Sequence, residues 1–336
     1  MLSKGLLLRA SALLIVLSFS LPALADNREV VAEVRDWLDR MARAVETLNY
    51  RGTLVHWRDG QVDSLRIIHR ADENGIRERI YSLDGDRREI LRDGDQVRCL
   101  LEGDQPLVVQ SQLTARLMPN LPVGRLASSA SAYRLSLGGK GRVAGMSTQI
   151  IEIEPRDEFR YGYRLWLEER TGMLLRSALL DHRGRQLQQL SFVTIELGVP
   201  INDAELEPAL DQQSTQMATL QDHPVSAASS DEHHRVSWMP ARVPDSFRLI
   251  RVGRGTGQDG QAFEHLVFSD GLASFSIYVE DGMPGYVGGR LESVGPVHVF
   301  TGMADSRQIT VVGEVPRATV EYVGRALRRS PGPRRR

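Results

Sequence analysis

Few residues in this chain are of a type and spacing that could do chemistry, and their context argues against most of it. Gly255-Thr256-Gly257-Gln258-Asp259-Gly260 spells G-x-G-x-x-G. That pattern binds a pyrophosphate when a strand leads into the glycines and a helix N-terminus follows. Here the following residues alternate as a second strand, so the glycines are expected to close a hairpin. The sequence holds no G-x-S-x-G, H-E-x-x-H, S-x-x-K or G-x-x-x-x-G-K,. His233-His234 sits in a polar stretch, where neighbouring side chains on extended backbone point apart and are expected to be solvated rather than to hold a metal,. The acidic pairs Glu168-Glu169 and Asp84 with Asp86 lie in turn sequences and are expected to bond locally,. Cys99 is the sole cysteine, so no internal disulfide forms. Its neighbours Val97, Leu100 and Leu101 make it a buried strand residue,. Lysine occurs only at positions 4 and 140, which removes nearly all lysine chemistry. No catalytic residue, cofactor or metal is expected, and a net charge of −1 points to no nucleic acid,. The expectation is a binding protein, not an enzyme.

The elements that would carry a binding surface are organised around Arg160 to Phe192. Tyr161, Tyr163, Leu165 and Leu167 alternate with Arg160, Arg164, Trp166 and Glu168, the period of a sheet. Turns at Glu169 to Gly172 and Asp181 to Gly184 then make a meander with Met173 to Leu180 and Arg185 to Ile195,. The same device recurs upstream. Asp59-Gly60, Asn74-Gly75, Asp84-Gly85 and Asp93-Gly94 separate strand patterns between Tyr50 and Leu101,. Ahead of them, Arg28 to Asn49 carries Val34, Trp37, Leu38, Met41 and Val45 at helical spacing, with Asp26 and Glu29 as a prospective capping box,. Between Leu107 and Leu137 alternation fails, which suggests a broken helix and loop over the sheet. Arg142 to Glu154 resumes as a strand. So many hairpins cannot stay flat, and strong twist is expected to curl them into an open or half-closed barrel over the helix.

Residues 1–25 have the look of a cleaved secretory leader: Lys4 and Arg9 accompany an apolar run, and Ala23-Leu24-Ala25 offers a small-residue site before Asp26,. Export to the periplasm follows. The remaining length suggests about two domains of ~150 residues each. The first is expected over residues 26–211, a linker over 212–235 where periodicity is lost, and a small α+β domain over 236–329. In the second domain strands are expected at Phe247 to Val252, Ala262 to Phe268, Ala273 to Glu280 and Arg307 to Val312, and Pro316 opens a helix,. Residues 330–336 form a basic tail. The fold class is therefore mainly β with α. A curled sheet with an apolar concave face and arginines at strand ends could enclose an apolar ligand with an anionic head. Burying an acyl chain of ~14 carbons would contribute on the order of 10 kcal/mol before ordering costs. A packed core with no cavity explains the same pattern equally well.

Four stretches carry a family resemblance: LNYRGTLVHWRDGQVDSLRIIHR (Leu48 to Arg70), LDGDRREILRDGDQVRC (Leu83 to Cys99), YGYRLWLEERTGMLL (Tyr161 to Leu175) and HLVFSDGLASFSIYVE (His265 to Glu280). With them the chain resembles the MucB/RseB family of periplasmic regulators of the envelope-stress sigma factor. The resemblance implies a LolA/LppX-like unclosed barrel followed by a smaller domain. It also implies a partner, the periplasmic part of a membrane-spanning anti-sigma factor of the MucA/RseA type. The regulator shields that partner from the first protease of a cascade and releases it on binding lipid or lipopolysaccharide. A periplasmic lipid or lipoprotein carrier is the alternative, and association between copies of the chain is left open. On this reading the lipid cavity is expected to be lined by Trp57, Ile67, Tyr81, Tyr163 and Leu165, with Leu117 and Met118 as a lid. The partner surface is expected around Phe268, Asp270, Phe275, Ile277, Tyr278 and Glu280, with the partner adding beside the sheet edge or laying a helix on it.

Overall fold

The computed structural model describes residues 23–94, 96–101, 132–210, 216–221, 236–256, 262–281 and 289–330. Helix α1 (Ala23–Thr47) comes first. Val34, Leu38, Met41 and Ala44 fall on one stripe and are buried, as helical spacing requires of a helix laid on a sheet. The helix begins three residues ahead of Asp26. Asp26 therefore lies inside it and not at the N-cap position, because Ala23, Leu24 and Ala25 are themselves helix formers,. Residues 1–22, most of the expected leader, lie outside the described residues.

The first sheet is antiparallel and made of β1 (Tyr50–Arg58), β2 (Gln61–Asp72), β3 (Gly75–Ser82), β4 (Arg88–Asp93), β5 (Gln96–Leu101), β6 (Tyr133–Val143), β7 (Met146–Pro155), β8 (Gly162–Glu168), β9 (Leu174–Leu180), β10 (Gln186–Leu197) and β11 (Gln216–Gln221). Its order is β11-β5-β4-β3-β2-β1-β10-β9-β8-β7-β6. Two meanders are joined where β1 pairs β10, and the end strands β11 and β6 do not meet. The sheet is unclosed. Asp59 and Gly60 take positive φ at the β1–β2 reversal, the conformation an Asp-Gly hairpin favours.

Two sequence expectations change here. The strand expected over Arg142 to Glu154 is a hairpin, with Ala144 and Gly145 at positive φ between β6 and β7. β6 escaped because Gly138, Gly139 and Gly141 break its alternation and a bulge follows Leu137. The gap is filled by neighbours: a Cβ on Gly138 would lie 2.8 Å from Ile150 Cγ2, and one on Gly141 3.1 Å from Trp166 Cδ1. β11 lies inside the stretch expected to be linker and pairs with β5 from Gln216 opposite Leu101 to Gln221 opposite Gln96.

Helix α1 covers the inner face, where Tyr50, Leu54, Ile67, Ile80, Ile151, Leu165, Leu167 and Phe192 form one core with it. The outer face near β2 to β4 is covered by the segment 199–210, which includes the short α2 (Asp203–Leu206) with its Asn202/Glu205 capping box,. There Ile201 and Leu206 pack on Ile68 and Tyr81, and Leu210 packs on Leu91 and Leu100. Buried Glu89 holds the segment by accepting from the Ala209 and Leu210 amides and from Arg79.

The second sheet has the order β13-β14-β15-β18-β17-β16, from β13 (Arg248–Thr256), β14 (Ala262–Ser269), β15 (Ser274–Asp281), β16 (Arg290–Val294), β17 (Val297–Ala304) and β18 (Arg307–Gly313). Helix α3 (Arg317–Gly324), with Pro316 at its N-cap, packs Val320 and Val323 against Phe268, Phe275, Ile277 and Val311. β12 (Trp238–Pro240) and β19 (Leu327–Arg329) pair as a separate ribbon. The β16–β17 hairpin is an addition to the sequence reading.

Candidate functional site

The residues expected to line one cavity divide between two faces. Register puts Leu54 opposite Leu65 and Gly52 opposite Ile67 on the inner face, where Tyr163 and Leu165 also pack. Burial pushes the Tyr163 hydroxyl well above its ordinary value, with the charges of Glu314 and Asp270 adding to it. Trp57, three residues beyond Leu54 and opposite the exposed Val62, lies on the outer face. Tyr81 also lies there, opposite Arg66 and against Ile68, with the Arg79 guanidinium 4.5 Å above its ring. Trp57 and Tyr81 thus cannot line an inner cavity with Ile67, Tyr163 and Leu165. Leu117 and Met118 lie outside the described residues.

The expected partner surface divides in the same way. Phe268, Phe275 and Ile277 are core, and β15 is flanked by β14 and β18, so no strand can add beside it. Tyr278 stays half-buried on the opposite face. It stacks on His265 at 4.3 Å and 4°, with Phe263 edge-on at 5.7 Å. Burial pulls His265 down to about 4, and its Nε2 lies 2.9 Å from Ser276 Oγ. Glu280 lies two residues further along this face, opposite Phe263.

Asp270 is claimed from within the chain. Its Oδ1 accepts from the Leu272 and Ala273 amides, closing the β14–β15 turn,. Its Oδ2 accepts from Arg160 Nη1 at 2.5 Å and from the Tyr133 hydroxyl at 2.9 Å. Arg160 Nη2 donates to the Asp245 carbonyl at 2.7 Å and Nε to Asp157 at 2.9 Å. Its guanidinium lies 5.0 Å from the Phe247 ring centroid. Burial alone would lower the Arg160 pKa, but the Asp157 hydrogen bond and the Asp270 charge outweigh it and raise it. Burial and Asp270 push the Tyr133 hydroxyl well up. Nearby, Gln188 donates to Glu314 at 3.0 Å, and burial holds Glu314 up to about 7.

The G-x-G-x-x-G sequence is no dinucleotide site, as expected: Gly255 pairs with Phe263 and Thr256 with Ala262 in antiparallel register, so a strand stands where a phosphate-binding helix would begin. Cys99 is a half-buried strand residue opposite Ile90, its thiol pushed up by burial. His233 and His234 lie outside the described residues. No metal-ligating cluster occurs among the described residues.

This architecture, an unclosed eleven-stranded sheet joined to a six-stranded one, agrees with the comparisons. Residues 33–210 match the MucB/RseB N-terminal domain and residues 232–328 the MucB/RseB C-terminal domain. The chain belongs to the MucB/RseB family. The sigma factor AlgU regulatory protein MucB of Pseudomonas aeruginosa is 32% identical over 96% of this chain and 98% of that protein. The sigma-E factor regulatory protein RseB of Escherichia coli K12 is 26% identical over 87% and 89%. Among solved structures, MucB in complex with MucA(peri) superposes with a TM-score of 0.70 at 30% identity, covering 89% of this chain and 100% of that one. MucB alone gives 0.62 at 30% identity, covering 89% and 98%.

For this MucB/RseB chain the sequence reading missed Arg160, Tyr133 and Glu314. Arg160 looked like one more arginine on the wet side of a strand. Its carboxylate partner is 110 residues away, and no local pattern points to it.

Proposed function

We propose that this chain binds the periplasmic part of a membrane-anchored anti-sigma factor, shields it from the first protease of a regulated cascade, and releases it when a lipid or lipopolysaccharide enters the first domain. The role is one of binding, exercised in the periplasm. The observation that carries this reading is the likeness, over both domains, to MucB in complex with MucA(peri). The lipid half takes the inner face of the first sheet as its site, where Ile67, Tyr163 and Leu165 share the apolar core under α1. For the partner, the half-buried residues of the expected surface that lie outside the core, Tyr278 and Glu280, are retained.

The test mixes the purified full-length mature chain with the periplasmic domain of its cognate anti-sigma factor and the first protease of the cascade. Binding in calorimetry and slowed cleavage are expected. Adding lipopolysaccharide should restore cleavage, and Leu165→Trp should weaken lipid displacement of an apolar fluorophore. Lipid binding with no anti-sigma binding would instead make the chain a carrier. Unchanged partner affinity in Tyr278→Ala and Glu280→Arg would move the contact elsewhere.

A further inference from the structure

Three consecutive residues, Phe159, Arg160 and Tyr161, leave the first sheet immediately ahead of β8, and each engages a different part of the second domain. The Phe159 ring lies 5.0 Å from that of Tyr322, and its carbonyl accepts from Thr319 Oγ1 at 2.6 Å. Arg160 enters the Asp270 turn and reaches the Asp245 carbonyl. Tyr161 donates to the Pro296 carbonyl at 3.2 Å, with His298 Nδ1 3.4 Å away. The traffic runs both ways, since Leu272, from the Asp270 turn, packs against the core of the first sheet.

We propose that Phe159-Arg160-Tyr161 is an interdomain latch: with Arg160 seated on Asp270 the two sheets keep one relative orientation, and with Arg160 withdrawn they move independently. Two features single out this contact. Both side chains of the ion pair are at 0% exposure, so water does not compete for it while it is closed. Its chemistry also suits two discrete states, because a guanidinium and a carboxylate are satisfied when paired inside or solvated outside, whereas an intermediate leaves a buried charge unmatched. The latch is joined to the interior as well. Arg160 stands two residues before β8, whose Tyr163 and Leu165 face the first core, so the orientation of the second sheet is tied to a strand that walls the first domain's interior. This inference is independent of which ligand or partner the chain takes.

The test uses the full-length mature chain with Cys99→Ser and spin labels at Leu83→Cys and Val294→Cys, two exposed positions on the two domains. Electron–electron distance measurements should give one narrow peak. Arg160→Met should lose that peak to a broad distribution while far-ultraviolet circular dichroism stays unchanged, since each domain keeps its own core. Asp270→Asn keeps the turn's shape and removes the charge, so it decides the matter if Arg160→Met does not fold. The same narrow peak in a folded Arg160→Met or Asp270→Asn chain would overturn the latch. A broad distribution already present in the parent would overturn it as well.

Discussion

Arg160 and Asp270 are 110 residues apart in sequence, yet Nη1 stands 2.5 Å from Oδ2 with neither side chain exposed. One comes from the lead-in to β8 and the other from the β14–β15 turn. Asp270 also accepts from the Tyr133 hydroxyl and the Leu272 and Ala273 amides, and Arg160 also donates to Asp157 and the Asp245 carbonyl. Such a pair is costly to break from one side only, because the survivor is left charged and buried.

Asp270→Ala should therefore destabilise the chain by about 3–5 kcal/mol, the range for an orphaned buried charge. The loss includes the Leu272 and Ala273 amide bonds that close the turn. Chemical denaturation measures it, and a loss below about 1 kcal/mol would show that Arg160 finds water or another partner.

Glu314 gives the chain a pH dependence of definite sign. Burial raises its folded pKa from 4.5 to about 7, against the lowering effects of the Gln188 hydrogen bond and Arg58. Between those values the folded chain keeps a proton that the unfolded chain has lost. The stability that Glu314 contributes is thus fully present below about 4.5 and is lost as pH rises through about 7, with a slope of at most ~1.4 kcal/mol per pH unit. Glu314→Gln keeps the contact with Gln188 and should flatten this part of the profile. A Tm difference between pH 5 and pH 8 that is the same in both proteins would remove Glu314 from the account.

His69 and His265 act in the opposite direction. Burial lowers each to about 4, and each stacks on a tyrosine, Tyr50 at 4.6 Å and Tyr278 at 4.3 Å. A histidine held neutral in the fold contributes stability above its unfolded value near 6.5, and that contribution is lost as pH falls through about 4,. Proton NMR titration should show both imidazoles neutral at pH 5.5. Either resonance titrating near its ordinary value would mean that its ring is hydrated.

Gly172 should tolerate no side chain. Its φ is +81°, and a Cβ would lie 2.8 Å from Arg40 Cβ on α1. Arg40 in turn donates to the Glu169 and Arg170 carbonyls of the same turn. Gly172→Ala combines left-handed strain with a clash against the helix, and a loss of about 1–3 kcal/mol is expected. Hydrogen exchange should show α1 loosening first. A change confined to the β8–β9 turn would argue that the helix docks independently of it.

The sequence by itself determined the local structure. Alternation placed Tyr163 and Leu165 on one face, Asp-Gly and Asn-Gly pairs set the hairpins, and the spacing of Val34, Leu38 and Met41 turned one stripe of α1 inward. These are short-range consequences of backbone period and turn conformation. The quoted stretches were enough for the family. The tertiary structure decided which face of each strand is interior and which residues meet across the joint. Tyr81 and Ile67 both lie among apolar neighbours, since the segment 199–210 gives the outer face a core of its own, so hydrophobicity could not tell the faces apart. β6 was hidden because its glycines leave room for Ile150 and Trp166, side chains from other strands. Arg160 is the extreme case. An arginine beside an alternating strand normally faces water, and only the approach of a second sheet carrying Asp270 makes burial of its charge affordable.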